Sequence, residues 1–139
     1  MCVFCDIAQG RSDSEIVLDE ESCIAFLDAR PLQPGHSLLI PREHHETLAD
    51  LPAELLPPLF AAAQRLAVAV EEGMGAQGTF VAINNKVSQS VPHLHVHVVP
   101  RRPKDGLRGF FWPRRRYAEG EAREVAARIR EAVAARGAA

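Results

Sequence analysis

Three histidines alternate with apolar residues in Pro92-His93-Leu94-His95-Val96-His97-Val98-Val99-Pro100, and they are half of the six histidines in the chain. In an extended segment successive side chains point to opposite faces, so His93, His95 and His97 share one side while Leu94, Val96 and Val98 anchor the other in a core. A buried position for the three imidazoles is disfavoured, because each would need its own polar partner. Nor does the set suit a single metal, since the first and third lie roughly 13 Å apart at ~3.3 Å per residue and point in parallel directions. A neutral imidazole has a free nitrogen lone pair and attacks phosphorus without prior activation by a base. His95, the middle residue, is the position for such a nucleophile, with a neighbour on each side to donate to phosphoryl oxygens. A preorganised donor of this kind is commonly worth ~3 kcal/mol of transition-state stabilisation. Upstream, Ser90 offers a hydroxyl suited to protonating a leaving group and Gln89 an amide suited to positioning it.

Cys2 and Cys5 have the spacing of half a tetrahedral zinc site, a weak signal by itself. The chain has three cysteines, an odd count that makes a poor disulfide framework. A redox dithiol places its first thiolate at a helix start, and no helical pattern is evident after Cys2. The N-terminus lacks a basic segment followed by an apolar one, so no secretory signal is read and the cytoplasm is expected. No stretch is judged to approach the ~18 apolar residues of a membrane span, so no membrane partner is expected.

The composition, 47% hydrophobic and 24% charged with a net charge of −2, is that of a folded protein and argues against nonspecific nucleic-acid binding by the whole surface. The charge is nevertheless segregated. Between Arg101 and Arg116 lie Arg101, Arg102, Lys104, Arg108, Arg114, Arg115 and Arg116 against Asp105 alone. That segment is either a solvated loop or a surface for an anionic ligand, phosphate above all. With the aromatics Phe110, Phe111 and Trp112 it suits equally a second base and extra phosphates or the packing of a dimer interface.

The elements that must position these groups follow from periodicity. Ile16 to Leu18 and Cys23 to Leu27 read as an antiparallel hairpin, and Ser37 to Ile40 as a third strand ended by Pro41. Leu59, Ala63, Leu66, Ala67 and Val70 recur at helical spacing up to a stop at Gly73, with Pro57 and Pro58 in the first turn and Leu51 to Leu56 a separate turn before it. Thr79 to Asn84 and His93 to Val99 read as the fourth and fifth strands, and Glu121 to Arg136 as an amphipathic helix. Strands that do not alternate regularly with helices favour an α+β fold with a mainly antiparallel sheet. At 139 residues the chain is expected to form one domain, with a core over about 3–100, a basic aromatic loop over 101–117 and the C-terminal helix.

The stretch Gln89-Ser90-Val91 followed by His-Leu-His-Val-His-Val-Val resembles the motif of the histidine-triad (HIT) family of nucleotidyl hydrolases and transferases, over about Phe4 to Pro100. The resemblance implies a five-stranded antiparallel sheet with one long central helix, continued across a homodimer into ten strands. It implies cleavage at the α-phosphate of a nucleoside phosphoramidate or dinucleoside polyphosphate through a nucleotidyl-histidine, releasing a nucleoside monophosphate. The substrate implied is a purine nucleotide, adenine foremost. Carried over residue by residue, His95 is the nucleophile, and His97, Gln89, Ser90 and Asn84 hold the α-phosphate and leaving group. Phe4, Ile7, Phe26, Asp28, Ala29 and Leu38 form the nucleoside pocket, with the Asp28 carboxylate accepting from both ribose hydroxyls. His36 matches a further family histidine beside the site, as a substrate-binding position or a buttress of the triad. Zinc-containing members complete a structural site with residues that map onto Cys2, Cys5, His44 and His93, with His45 a less suitable substitute. Ser88 stands where a glycine commonly precedes Gln-Ser, and serine would be strained there by a positive φ. Pro92 and the Val-Pro-Arg-Arg after the triad resemble the dinucleoside-polyphosphate branch, whereas Cys-x-x-Cys resembles zinc-containing bacterial members. A nucleotide-binding signalling module with little catalysis is the alternative, and a nucleic-acid-binding role for Arg101 to Arg116 is the least favoured.

Overall fold

The computed structural model describes residues 1–108 and 113–137, in two compact units, Met1–Asp105 and Gly106–Ala139. Phe110, Phe111 and Trp112, named above for a second base or an interface, lie outside the described residues. The first unit contains helix α1 (Val3–Ala8), strands β1 (Ile16–Asp19), β2 (Cys23–Leu27) and β3 (Ser37–Pro41), short 3₁₀ turns at Leu48–Asp50 and Ala53–Leu55, helix α2 (Leu56–Met74), and strands β4 (Gly78–Ile83) and β5 (Val96–Arg101). The second unit contains helix α3 (Glu121–Gly137), on which Val125, Ile129 and Val133 recur every four residues as the sequence predicts.

The five strands form one antiparallel sheet in the order β1-β2-β3-β5-β4, and the fold is α+β. The pleat sorts the side chains onto two faces. Ala25, Leu39, Val96 and Val98 meet Leu59, Ala62, Ala63, Leu66 and Val70 of α2, and each is almost wholly buried. On the other face Ile24, Phe26, Leu38 and Ile40 pack with Phe4 of α1. Burying one such side chain stabilises the fold by about 1.5–3 kcal/mol, so the three central strands are the rigid frame on which the site is built.

The boundaries of β1 to β4 agree with the hydrophobic pattern to within a residue. Pro57 and Pro58 stand in the first turn of α2, where the missing amides cost nothing. The helix runs past Gly73 to end on Gly75, whose φ of 61° lets the amides of Gly75 and Ala76 turn back onto the Glu72 and Glu71 carbonyls. By length and composition the segment Ala53–Met74 does reach the threshold for a membrane span, contrary to the expectation that no stretch would. Here its apolar stripe is spent on the sheet.

Two elements differ from expectation. The fifth strand begins at Val96 rather than His93, because Val91 to His93 form a bend closed by the His93 amide on the Val91 carbonyl. The N-terminal helix α1 is also absent from the sequence reading. At six residues it is too short for periodicity to register, and its order comes from packing and from a cap in which the Cys5 amide meets the Cys2 sulfur at 3.4 Å.

Candidate active site

The histidines occupy the sheet face that carries α1. Val96 and Val98 point into the α2 core as expected, and Leu94, just outside the strand, joins them. Two of the three imidazoles, however, are buried, His93 at 0% and His95 at 3% exposed, and His97 is half-buried at the cleft. Burial was judged too costly for want of partners, yet each finds one. His95 Nδ1 lies 2.7 Å from the His93 carbonyl, and His93 Nε2 lies 2.9 Å from the Pro41 carbonyl. A carbonyl only accepts, so in the neutral ring each of those nitrogens carries the proton and the opposite nitrogen keeps the lone pair. For His95 the free lone pair is on Nε2, the state a nucleophile requires. The carbonyl that holds this tautomer comes from the backbone bend before β5, which no side-chain pattern encodes.

His95 and His97 lie with ring centroids 4.9 Å apart at one end of a cleft of about 510 Å³. Phe4, Ile7, Phe26, Asp28, Ala29, Leu38 and Ser90 all line the same cleft. Phe4 meets Phe26 and His95 edge-on at centroid distances of 5.3 and 5.1 Å, so an apolar slot abuts the histidines. Asp28 stands at the end of β2, with one carboxylate oxygen accepting the Arg30 amide at 2.8 Å. The sequence reading missed Val3, Val91, Arg30 and the Ser12-Asp13-Ser14 turn, which also line the cleft. The turn and Arg30 carry no periodic signal.

Other expected members sit differently. Asn84 is half-buried at the end of β4 and does not line the cleft. The Gln89 side chain is engaged in its own loop, accepting the Lys86 amide at 2.8 Å and donating to the Glu46 carbonyl at 2.6 Å. That loop runs through two left-handed residues, Lys86 at φ 69° and Ser88 at φ 63°. Serine therefore stands where the backbone favours glycine, as the departure from the family pattern anticipates.

His36 is 2% exposed and meets His97 at 3.0 Å between its Nε2 and His97 Nδ1. Its neighbour Gly35 has a φ of 97°, where any other residue is strained, and a Cβ there would also press on the Met74 side chain at 2.7 Å from Cγ. The turn thus delivers His36 to the start of β3 in fixed register with β5. Burial, with the adjacent His95 and His36 adding to it, holds the His97 imidazole down at about 4, against the opposing pull of Asp28. His97 is therefore neutral near pH 7. Between about 6.5 and about 4 an unfolded chain takes up this proton and the folded one does not. Stability should accordingly fall as the pH drops through that window. Melting temperatures from pH 7.5 to 4.5 should show the decline, and His97→Asn should reduce it, the part that remains coming from His36 and His93, which burial also lowers.

A second cluster adjoins the first. Cys2, Cys5, His44 and His93 present their ligand atoms within 4.8 Å of one another. Cys2 Sγ lies 3.4 Å from His93 Nδ1, and Cys5 Sγ lies 3.3 Å from His44 Nδ1 and 3.5 Å from His93 Nδ1. A tetrahedral zinc with bonds of about 2.3 Å to sulfur and 2.0 Å to nitrogen gives sulfur–nitrogen edges of about 3.5 Å. The Pro41 carbonyl leaves the His93 lone pair on Nδ1, the nitrogen that faces the sulfurs. The residues thus fit a zinc ion in spacing and in the tautomer of His93. His45 instead approaches Glu43 at 3.3 Å. The sequence reading found no dithiol arranged at a helix start, but Cys2 does cap α1. Burial and the neighbouring Cys2 push the Cys5 thiol up, which opposes a free reactive thiolate. Arg101 of the basic segment pairs with Asp105 at 2.6 Å, so part of that charge is neutralised locally.

Comparison with known proteins agrees with this geometry. The model of the HIT domain family matches residues 9–104. The adenosine 5'-monophosphoramidase of Saccharomyces cerevisiae is 32% identical over 115 residues, covering 81% of this chain and 70% of that one. The crystal structure of a HIT-family protein from Bacillus subtilis superposes with a TM-score of 0.85 at 32% identity, covering 94% of this chain and 95% of that one. A zinc-bound histidine-triad protein from Mycobacterium smegmatis superposes with a TM-score of 0.73 at 37% identity, covering 94% and 96%.

Proposed function

Because this chain belongs to the histidine-triad (HIT) domain family, we propose that it is a nucleotidyl hydrolase or transferase acting at the α-phosphate of a nucleoside phosphoramidate or dinucleoside polyphosphate. The observation that carries the reading is the tautomer that the backbone imposes on His95: its Nδ1–H is committed to the His93 carbonyl, so the lone pair of the neutral ring is on Nε2, in a cleft lined by an apolar slot and a carboxylate. His95 Nε2 attacks the α-phosphorus, a P–N bond forms, and the bond to the leaving group breaks. The leaving atom takes a proton, for which the Ser90 hydroxyl at the cleft is the available donor. Water, or a protonated second phosphate in a transferase, then attacks the same phosphorus, gives its proton back to the Ser90 oxygen and breaks the P–N bond, which returns the imidazole with its lone pair and releases a nucleoside monophosphate or its transfer product. Neutral His97 donates to the phosphoryl oxygens as charge builds on them.

The base, a purine with adenine foremost, occupies the slot between Phe4, Ile7, Phe26 and Leu38, and Asp28 accepts from the ribose hydroxyls. A relative named as an adenosine 5'-monophosphoramidase supports this class of substrate. Asp28→Ala should raise the KM for adenosine phosphoramidate about tenfold or more with a smaller change in kcat, since hydrogen bonds to a charged acceptor are worth about 1.5–3 kcal/mol. The decisive test is acid-quenched mass spectrometry of the protein during turnover. A nucleoside monophosphoryl group on His95 supports the reading, and its absence under single-turnover conditions counts against it.

We also assign Cys2, Cys5, His44 and His93 to one structural zinc, which would join α1 to the bend before β5. The fit of the spacing and of the His93 tautomer supports this, as does the zinc-bound relative. When bound, the metal supplies a cross-link rather than chemistry. A homodimer that continues the sheet through its exposed edge, and a cytoplasmic location, complete the proposal.

A further inference from the structure

We propose that His36 is a positioning residue that fixes His97 as the Nε2–H tautomer, through a directed hydrogen-bond chain that starts at the Leu32 backbone amide. The Leu32 N–H donates to His36 Nδ1 at 3.1 Å. A backbone amide can only donate, so His36 Nδ1 is unprotonated and the proton of the neutral ring sits on Nε2. That Nε2–H lies 3.0 Å from His97 Nδ1 and donates to it, so His97 in turn carries its own proton on Nε2. The direction of the whole chain is thus set by one group that cannot reverse. Without the amide, the His36–His97 pair would be free to run either way, and in the reversed arrangement His97 would present a lone pair to the phosphoryl oxygens in place of a proton. The Asp28 carboxylate, 3.6 Å from His36 Nε2, attracts a proton on that nitrogen and reinforces the order.

The same three side chains offer a competing reading. Ligand atoms of Asp28, His36 and His97 lie within 4.8 Å of one another, a spacing that also suits a metal ion. A metal on His36 Nε2 would need the lone pair of that nitrogen and would put the ring proton on Nδ1, directly against the Leu32 N–H. The amide therefore selects the proton chain over the metal. The two neutral rings also agree with a buried setting in which burial lowers both His36 and His97. The consequence is a division of labour by tautomer: the His93 carbonyl gives His95 a lone pair toward the cleft, and the Leu32 amide gives His97 a proton toward it.

This inference rests on the proposed nucleotidyl chemistry for its kinetic arm but not for its spectroscopic one. In the intact protein labelled with ¹⁵N-histidine, long-range proton–nitrogen correlation at pH 7 should show His36 and His97 as Nε2–H and His95 as Nδ1–H. With adenosine phosphoramidate, His36→Phe should lower kcat about tenfold to a hundredfold, with KM within about threefold. His36→Gln, which restores an N–H toward His97, should recover most of the loss. A His36 or His97 ring protonated on Nδ1 in the unmutated protein would overturn the proposal, as would a folded His36→Phe with unchanged kcat. If no nucleotide is ever trapped on His95, the functional reading fails while the tautomers still decide this one.

Discussion

His95→Ala should fold as the unmutated protein does and lose turnover by about 10⁴-fold or more, because it removes the atom that forms the bond to phosphorus. His97→Ala should cost less, on the order of 10²- to 10³-fold, the usual loss for one donor to a developing oxyanion. The contrast between the two separates a covalent route from one in which the histidines only bind phosphate, since in that case the variants would suffer alike. The His95 ring is 3% exposed and packs edge-on against Phe4, so alanine there leaves a small void and a modest loss of stability that a thermal melt will register separately. Stopped-flow turnover of adenosine phosphoramidate together with quenched mass spectrometry measures both quantities. A variant lacking His95 that turns substrate over at the full rate would end the nucleotidyl-histidine account. One that binds AMP normally while the unmutated protein shows no turnover would favour the binding-module alternative.

The sheet was legible because its information is local. Cys23 to Leu27 and Ser37 to Ile40 are short apolar runs bounded by Asp19-Glu20-Glu21-Ser22, by the Pro34-Gly35 turn and by Pro41, and runs of that length between breakers suit strands buried on both faces. The bend at Val91 to His93 was not legible, since the His-x-His-x-His alternation continues the period of two straight through it. There the His93 amide turns back onto the Val91 carbonyl, and the His93 ring is held by the Pro41 carbonyl and the two sulfurs, so the strand starts late. Burial of the histidines was misjudged for a related reason. Their partners are backbone carbonyls and an amide, groups that every residue has and that sequence cannot assign. Of the nucleoside-pocket residues, Phe4 comes from α1, Asp28 from the residue after β2 and Leu38 from β3, so no local pattern joins them and the family resemblance alone does. The 3₁₀ turn at Ala53–Leu55 falls within the turn expected over Leu51 to Leu56, whereas the turn at Leu48–Asp50 and the Ser12-Asp13-Ser14 rim carry no period of any kind.

Removing the proposed zinc should act on the nucleotide site as well as on stability. Protein purified without chelator should hold about one zinc per chain, and a Cys2→Ser/Cys5→Ser variant should hold none. Taken as no more than a cross-link between the N-terminus and the bend before β5, the metal is worth ~3 kcal/mol, as for a disulfide closing a long loop, which corresponds to a fall of roughly 10 °C in Tm for a chain of this size. The α2 core is untouched by the change, so the variant should still melt cooperatively. The cysteines flank Phe4 on α1, and Ile7 follows one turn later; both line the cleft, and Phe4 leans on His95 and Phe26. Releasing α1 therefore loosens one wall of the base slot, and KM for adenosine phosphoramidate should rise about tenfold. The bond from His95 to the His93 carbonyl belongs to the bend itself and does not pass through the metal, so kcat should fall by less. Metal analysis, calorimetry and steady-state kinetics on the same preparations measure the three effects. Unmutated protein without stoichiometric zinc would defeat the assignment. A variant that loses stability but keeps its KM would show that α1 is held in place by the Phe4–Phe26 packing alone.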